Sequence, residues 1–586
     1  MKTTPYSIEP LEARIAPAAL VGNILTYTDI DGDLVKVTFT PAAMTGADFA
    51  FSTGGVDGTT TTPQALTTVK LGGHPGAGFT LTATPHLGHG DSHANIDAID
   101  GTNTDLGSLS IDGDVRAILA GTGAAGTVGL KSFTALSVGR ANAGDGESGG
   151  ILKNVAAFVV KTDVVNATLH FTGGVKTVAI GGNLEETIDG EKAFIDITGD
   201  AGTVKIGGSI IARSGGGRNL VIQEKVGTVT IGGSVIGGSA DIGGRQIVLG
   251  SVTTLTIGGD VRGGSGYGGG SFDINGDIGM LKIGGSVLGG TGNYTGYIDI
   301  VAFDGPVKTI TIGGSVVGGS SGSQSGQISA GGIGSLKIAG SLIGTAAGSS
   351  GNIFSVGNIG SIAIGHDFIG GNSTGNLNLY QSGWIWAGGT IGSIVIGGNF
   401  ISGRAEGAGG FDHRSSTISA DGTIGAIKIG GSILGDPRHP ASITAGAELT
   451  TGAVKAIASL TVKGSVQSAS ILTGYDYLLL AQNTDSGIGS VVIGGDFAGS
   501  LIHAGDSKGL DGIPGTADDD TLSLIATITS VKVGGAVTGL AGSPTQFGIH
   551  APKLLQATIG HATYDRLQLQ GAVLFNSIGL AYVSSN

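Results

Sequence analysis

The chain contains no cysteine, which excludes disulfides, zinc–thiolate centres and cysteine nucleophiles. Charge is scarce as well. Only 13% of the 586 residues are Asp, Glu, Lys or Arg, and 30 basic against 44 acidic residues leave a net charge of −14. That balance argues against nucleic acid and anionic membranes as partners. No apolar run approaches ~18 residues, which predicts that no segment inserts into a membrane. Residues 1–22 lack a charged n-region followed by a continuous apolar stretch, so no Sec-type signal is expected there. Aromatic residues make up 5% of the chain and only two are tryptophan, so any aromatic cluster stands out against this background.

What the chain has in abundance is glycine, 116 residues, placed with a period. The stretch Gly227 to Gly233, Gly-Thr-Val-Thr-Ile-Gly-Gly, recurs in close copies with its isoleucine landmark at Ile180, Ile206, Ile231, Ile257, Ile283, Ile312 and onward to Ile559. The spacing has a floor near 26 residues with additions to 29, 33 and 40, as expected of solenoid coils carrying surface loops of varying length. Within a copy Val229 and Ile231 point one way and Thr228 and Thr230 the other, the period of a strand with one buried face. Gly232 and Gly233 mark a corner where a side chain would clash or positive φ is needed. A second short strand follows at Val235, and a third, such as Gln327 to Ala330 or Thr417 to Ala420, closes the coil. Three short strands per ~26 residues predict an all-β, parallel β-helix solenoid, right-handed by the general crossover preference. The small polar residues after the glycines (Ser209, Ser234, Asp260, Ser286) are expected to satisfy corner backbone groups.

The expected organisation is a targeting segment at 1–19, a small N-terminal β domain at 20–105, the solenoid at 106–554 with longer loops after 364, and a C-terminal cap at 555–586. Leu11-Glu12-Ala13-Arg14-Ile15 resembles the LEPR-type motif near the start of large repeat proteins predicted to be exported in planctomycetes and verrucomicrobia. Ala13 stands in place of the family's usual proline. The resemblance implies extracellular or cell-surface placement and brings no catalytic residues. A structural or adhesive, non-enzymatic role follows as the leading expectation. A glycan-binding or polysaccharide-degrading β-helix is the alternative. Polysaccharide or a neighbouring surface protein would be the partner, and imperfect end caps would permit head-to-tail self-association.

Five sets of residues are candidates for chemistry. Trp384 and Trp386 align with Thr417 and Ser419 of the next coil, which face outward, and with Tyr380 they would form an exposed aromatic ledge for a sugar ring or protein partner. Asp506, Asp511, Asp518, Asp519 and Asp520 lie in a loop that resembles the Asp-Gly-Xaa-Pro-Gly-Thr-Ala-Asp-Asp loops of secreted bacterial repeat proteins, which implies calcium as ligand. Asp273 and Asp299 are 26 residues apart, one coil, and could stack as a carboxylate pair. No arginine is predictably close to them. His74, His86, His89 and His93 crowd one loop region and offer imidazoles to a transition metal, with a solvated loop favoured instead. Asp29, Asp31 and Asp33 alternate around Gly32; a hairpin is preferred over a calcium loop, because Leu34 and Thr40 occupy the EF-hand's glycine and glutamate positions.

Overall fold

The computed structural model describes residues 18–40, 44–53, 63–86, 90–140, 148–188, 191–213, 216–300, 307–372, 381–404, 415–447, 453–476, 478, 480–505, 525–539, 547–565, 573–576 and 579–582. The chain divides into two compact units, Met1–Gly208 with Ile222–Glu224, and Ser209–Val221 with Lys225–Asn586.

In the first unit, strands Ile24–Thr28, Asp33–Thr40 and Gly78–Pro85 pair antiparallel in sequence. Gly78–Pro85 then pairs parallel with Leu106–Ile111, and Leu130–Ala135, Val155–Val160, Val175–Ile180 and Ala201–Ile206 add to the same sheet in parallel. Once the chain is wound this way, coil follows coil.

The second unit repeats one coil. Val226–Ile231 pairs in parallel with Val252–Ile257 and that with Ile278–Ile283, position for position. The two-residue second strands and the third strands stack equally, Phe368–Ile369 on Phe400–Ile401 and Ile353–Ser355 on Trp384–Ala387. This is a parallel β-helix solenoid. Its core is the column of landmark residues, with Ile231, Ile257, Ile283, Ile312 and Ile338 wholly buried. Each such side chain contributes roughly 1.5–3 kcal/mol by leaving water. The rings of Phe368 and Phe400 stack with centroids 4.8 Å apart and planes 8° apart, so one ring sits a coil above the other. On the outer face of the first strand Thr256, Lys282, Thr311, Lys337 and Ala363 are direct neighbours in that order. No lysine of this series faces another, which spares the stack like-charge repulsion.

The corner glycines are required by stacking rather than by positive φ. A methyl group on Gly284 would overlap the carbonyl oxygen of Gly258, its equivalent one coil earlier. On Gly285 it would overlap the carboxylate of Asp260. That carboxylate accepts a hydrogen bond from the amide of Ser286 at 2.7 Å. The polar residue after each glycine pair therefore serves the next coil, not its own corner as the sequence suggested. The Ser209 hydroxyl accepts from the Ser234 amide, that of Ser234 from Asp260, that of Ser286 from Ser315, and that of Ser315 from Ser341. The ladder continues through Asp367, Asn399, Ser432, Ser465 and Asp496 to the amide of Ala536. The second glycine leaves room for the rung, and the first lets the backbones meet.

Residues beyond the minimal coil enter at both ends of the third strand: before it in 370–383 and 402–416, and after it in 446–453, 474–485 and 504–526.

Two substitutions separate the two corner roles. Gly284→Ala should lower stability by about 1–3 kcal/mol through overpacking against the neighbouring coil, and Ser286→Ala by about 1 kcal/mol through the lost bond to Ser315. Urea denaturation measures both, and unchanged midpoints would contradict the stacking account.

Candidate functional site

Third-strand side chains that point outward form columns along the stack. Pairing puts Asp273 beside Asp299, then Ser329, Phe354, Trp386, Ser419 and Thr444, each one coil from the last. Two residues earlier in each coil stand Tyr297, Gln327, Asn352 and Trp384, all buried. They arise from a short recurring phrase, Ser/Thr-Gly-Xaa-Ile, at Thr295, Ser325, Ser350 and Ser382. The hydroxyls of Thr295, Ser325 and Ser350 each donate to a carbonyl three residues back. The glycine takes positive φ, 60° at Gly326 and 63° at Gly351, where a side chain would also overlap the backbone of the second strand. The residue two places before each of these glycines adopts the left-handed region too. Gly268 does so cheaply, whereas Gln324 (53°), Ser349 (52°) and Gln381 (57°) do so with side chains. A non-glycine residue there costs on the order of 1 kcal/mol.

These columns enclose a groove of about 310 Å³. Tyr297, Gln327, Asn352 and Trp384 run along it, with Gln324, Ser349 and Gln381 on the turn side and Ser329, Phe354 and Trp386 on the other. Phe354 and Trp386 lie with ring centroids 4.4 Å apart at 31°, and Trp384 stands 5.8 Å from Trp386. The register of Trp384 with Thr417 and of Trp386 with Ser419 is the one expected from the sequence. Exposure is not. Trp384 is 3% exposed, with its indole N–H donating to the Ser419 hydroxyl at 2.9 Å. Trp386 is half-buried and donates to Asp421 at 3.2 Å. The indoles lie across neighbouring coils instead of projecting from their own, so a single wall, not a ledge, faces the groove. Among the described residues no lining side chain is charged, and Gln327 Oε1 is buried without a hydrogen-bond partner.

At one end of the groove lies the carboxylate pair. Asp273 and Asp299 are register neighbours, and the Arg245 guanidinium, one coil before, contacts Asp273. Sequence spacing hid this arginine because it sits 28 residues from its partner, at the strand's start, whereas the coil repeats at 26. Burial, reinforced by the Asp273 charge, pushes the Asp299 carboxyl up to about 6, against lowering hydrogen bonds from Tyr297 and Ser329. Burial also raises the Tyr297 phenol, with Asp299 adding to it.

The remaining candidates do not join this site. His74 approaches Asp48 at 3.5 Å and His93 approaches Asp112 at 3.4 Å. Among the described residues no histidine belongs to a group of metal-ligating atoms; Asp29, Asp31 and Asp33 do. His89, Tyr380 and Asp506, Asp511, Asp518, Asp519 and Asp520 lie outside the described residues. The residues that sequence reasoning missed are Tyr297, Gln327, Asn352, Phe354 and Arg245. The first three were accessible from the recurring Ser/Thr-Gly-Xaa-Ile phrase. No family model, no curated protein and no solved structure matches this chain.

The raised carboxyl gives a pH signature. A folded-state value above the ordinary 3.8 means that the native state holds the proton more tightly, so Asp299 opposes folding increasingly as pH rises from about 4 to about 6. Asp299→Asn should therefore melt higher than wild type at about pH 7, with the difference vanishing near about pH 4. Thermal melts of the two proteins across that range check it; a constant difference would contradict it.

Proposed function

We propose that this chain is a non-enzymatic, polysaccharide-adhesive solenoid of the cell surface or extracellular space, and that the third-strand groove is where it holds neutral glycan. The observation that carries the reading is the pairing of aromatic faces with an unsatisfied amide acceptor in an uncharged groove. Sugar rings present C–H faces that stack on indole and phenyl rings, and hydroxyls that donate to an acceptor such as Gln327 Oε1. The left-handed backbone at Gln324, Ser349 and Gln381 supports the same reading: side chains are kept at turn positions where glycine would be cheaper, and they line the groove. Coils repeat at ~4.8 Å, so a linear polymer running along the stack meets successive rows of similar groups. External placement rests on the likeness of Leu11-Glu12-Ala13-Arg14 to the LEPR-type motif.

One observation favours a second reading, glycosidic cleavage. Asp299 holds its proton up to about pH 6 beside a second carboxylate one coil away, and retaining hydrolysis uses two carboxyls about 5–5.5 Å apart. Against it, Arg245 engages Asp273, the group that would have to act as nucleophile. Reducing-end release by wild type that is lost in Asp299→Asn would establish cleavage.

For the binding reading, Trp386→Ala and Gln327→Ala should each weaken retention on insoluble neutral polysaccharide by about tenfold, some 1.4 kcal/mol, while Trp386→Phe keeps most of it. Retention should be insensitive to added salt. Sedimentation of the variants with the polymer measures this. Folded alanine variants that bind like wild type would remove the groove from consideration.

A further inference from the structure

The antiparallel hairpin of Ile24–Thr28 and Asp33–Thr40 turns through Asp29 to Asp33, as the Asp31-Gly32 signal predicts, with Gly32 at a φ of 104°. The turn does more than reverse the chain. Carboxylate oxygens of Asp29, Asp31 and Asp33 lie within 4.8 Å of one another. Asp29 Oδ1 accepts from the amides of Gly32 at 3.1 Å and Asp33 at 2.7 Å. Asp31, exposed at the rim, accepts from the amide of Asp91 at 3.2 Å. Asp33 is wholly buried, and neither of its carboxylate oxygens has a hydrogen-bond partner. Gly90 packs so tightly over it that a methyl there would overlap Asp33 Oδ1.

Beside the cluster lies a cavity of about 250 Å³ lined by Tyr27, Asp29, Asp31, Asp91, His93 and Asn95 among others. Tyr27 Oη, buried in its wall, also lacks a partner. No lysine or arginine ion pair reaches Asp29, Asp31 or Asp33 among the described residues. A wholly buried carboxylate with no donor and no counter-charge is costly, several kcal/mol even after relaxation. What is missing is positive charge.

We infer that Asp29, Asp31 and Asp33 form a calcium site. All three donors are hard oxygens, which disfavours zinc and copper. Calcium accepts irregular oxygen geometry and six to eight ligands, whereas magnesium demands a near-ideal octahedron and keeps most of its water, so an open turn of this kind suits calcium better. Water in the adjoining cavity would fill the other positions, and exposed Asp31 gives the ion its way in.

The test is calorimetric titration of the full chain with calcium chloride. Asp518, Asp519 and Asp520 are first changed to Asn, so that the separate acidic loop cannot answer. One site with a dissociation constant between about 10⁻⁵ and 10⁻³ M is expected, weakened at least about tenfold by Asp31→Asn, a surface change that leaves the fold intact. Calcium should raise the melting temperature of the parent and not that of Asp33→Asn. Without calcium, Asp33→Asn should melt above the parent, because it removes an uncompensated buried charge. The inference is overturned if the parent takes up no calcium at about 5 mM. It is equally overturned if Asp31→Asn and Asp33→Asn bind with the parent's affinity.

Discussion

Everything in the repeating part of this chain depends on in-register parallel stacking, in which backbone groups bond to residues flanking their counterpart one coil away. The amide of Gly258 donates to the carbonyl of Ile231, and the amide of Gly284 to that of Ile257. A position in such a stack must suit two neighbours identical to itself. That constraint explains the composition. Corner backbones approach closely, so glycine recurs there, with Ala339, His366 and Lys463 as exceptions at equivalent positions. Corner amides left over by the glycine pair need an acceptor, and a Ser, Asp or Asn one coil earlier supplies it. Inward positions are mostly apolar and stack in columns, Leu342 on Phe368, Phe368 on Phe400 and Phe400 on Ile433.

The outward columns carry no such demand, and they vary from coil to coil. Along the third strand the series Asp273, Asp299, Ser329, Phe354, Trp386, Ser419 changes character every coil or two. Residues that are 25 to 33 apart in sequence become neighbours, so a carboxylate pair, an uncharged aromatic groove and a hydroxyl row follow one another along a single face. The outer face of the first strand, by contrast, keeps to a mixture of Lys and Thr. The groove and the acidic hairpin thus arise differently: one from stacking, the other from a turn in the antiparallel segment before it.

How much of this could be read from the residues follows from the same physics. Coil spacing, inward isoleucines and the alignment of Trp384 with Thr417 are one-dimensional facts, and each was legible. The burial of Trp384 was not, since its indole reaches across to Ser419 in the next coil, and side-chain direction along the stack leaves no trace in spacing. Arg245 escaped because contact with Asp273 depends on reach, not on register. The corner Ser and Asp residues were recognised as backbone partners but assigned to the wrong coil; only the stacked geometry shows that Asp260 serves Ser286. Asp33 reads as an ordinary turn residue until the segment around Gly90 is seen to cover it.

The central claim, that the aromatic groove is the glycan-binding surface, has a built-in reporter. The chain's only two tryptophans, Trp384 and Trp386, both line it. Intrinsic fluorescence of the unmodified protein, titrated with a panel of neutral oligosaccharides of increasing length, therefore reads the groove directly. The account predicts a saturable change in emission with at least one neutral glycan, growing tighter as the oligosaccharide lengthens to span successive coils. A protein that is retained on neutral polysaccharide while its emission stays unchanged would contradict it.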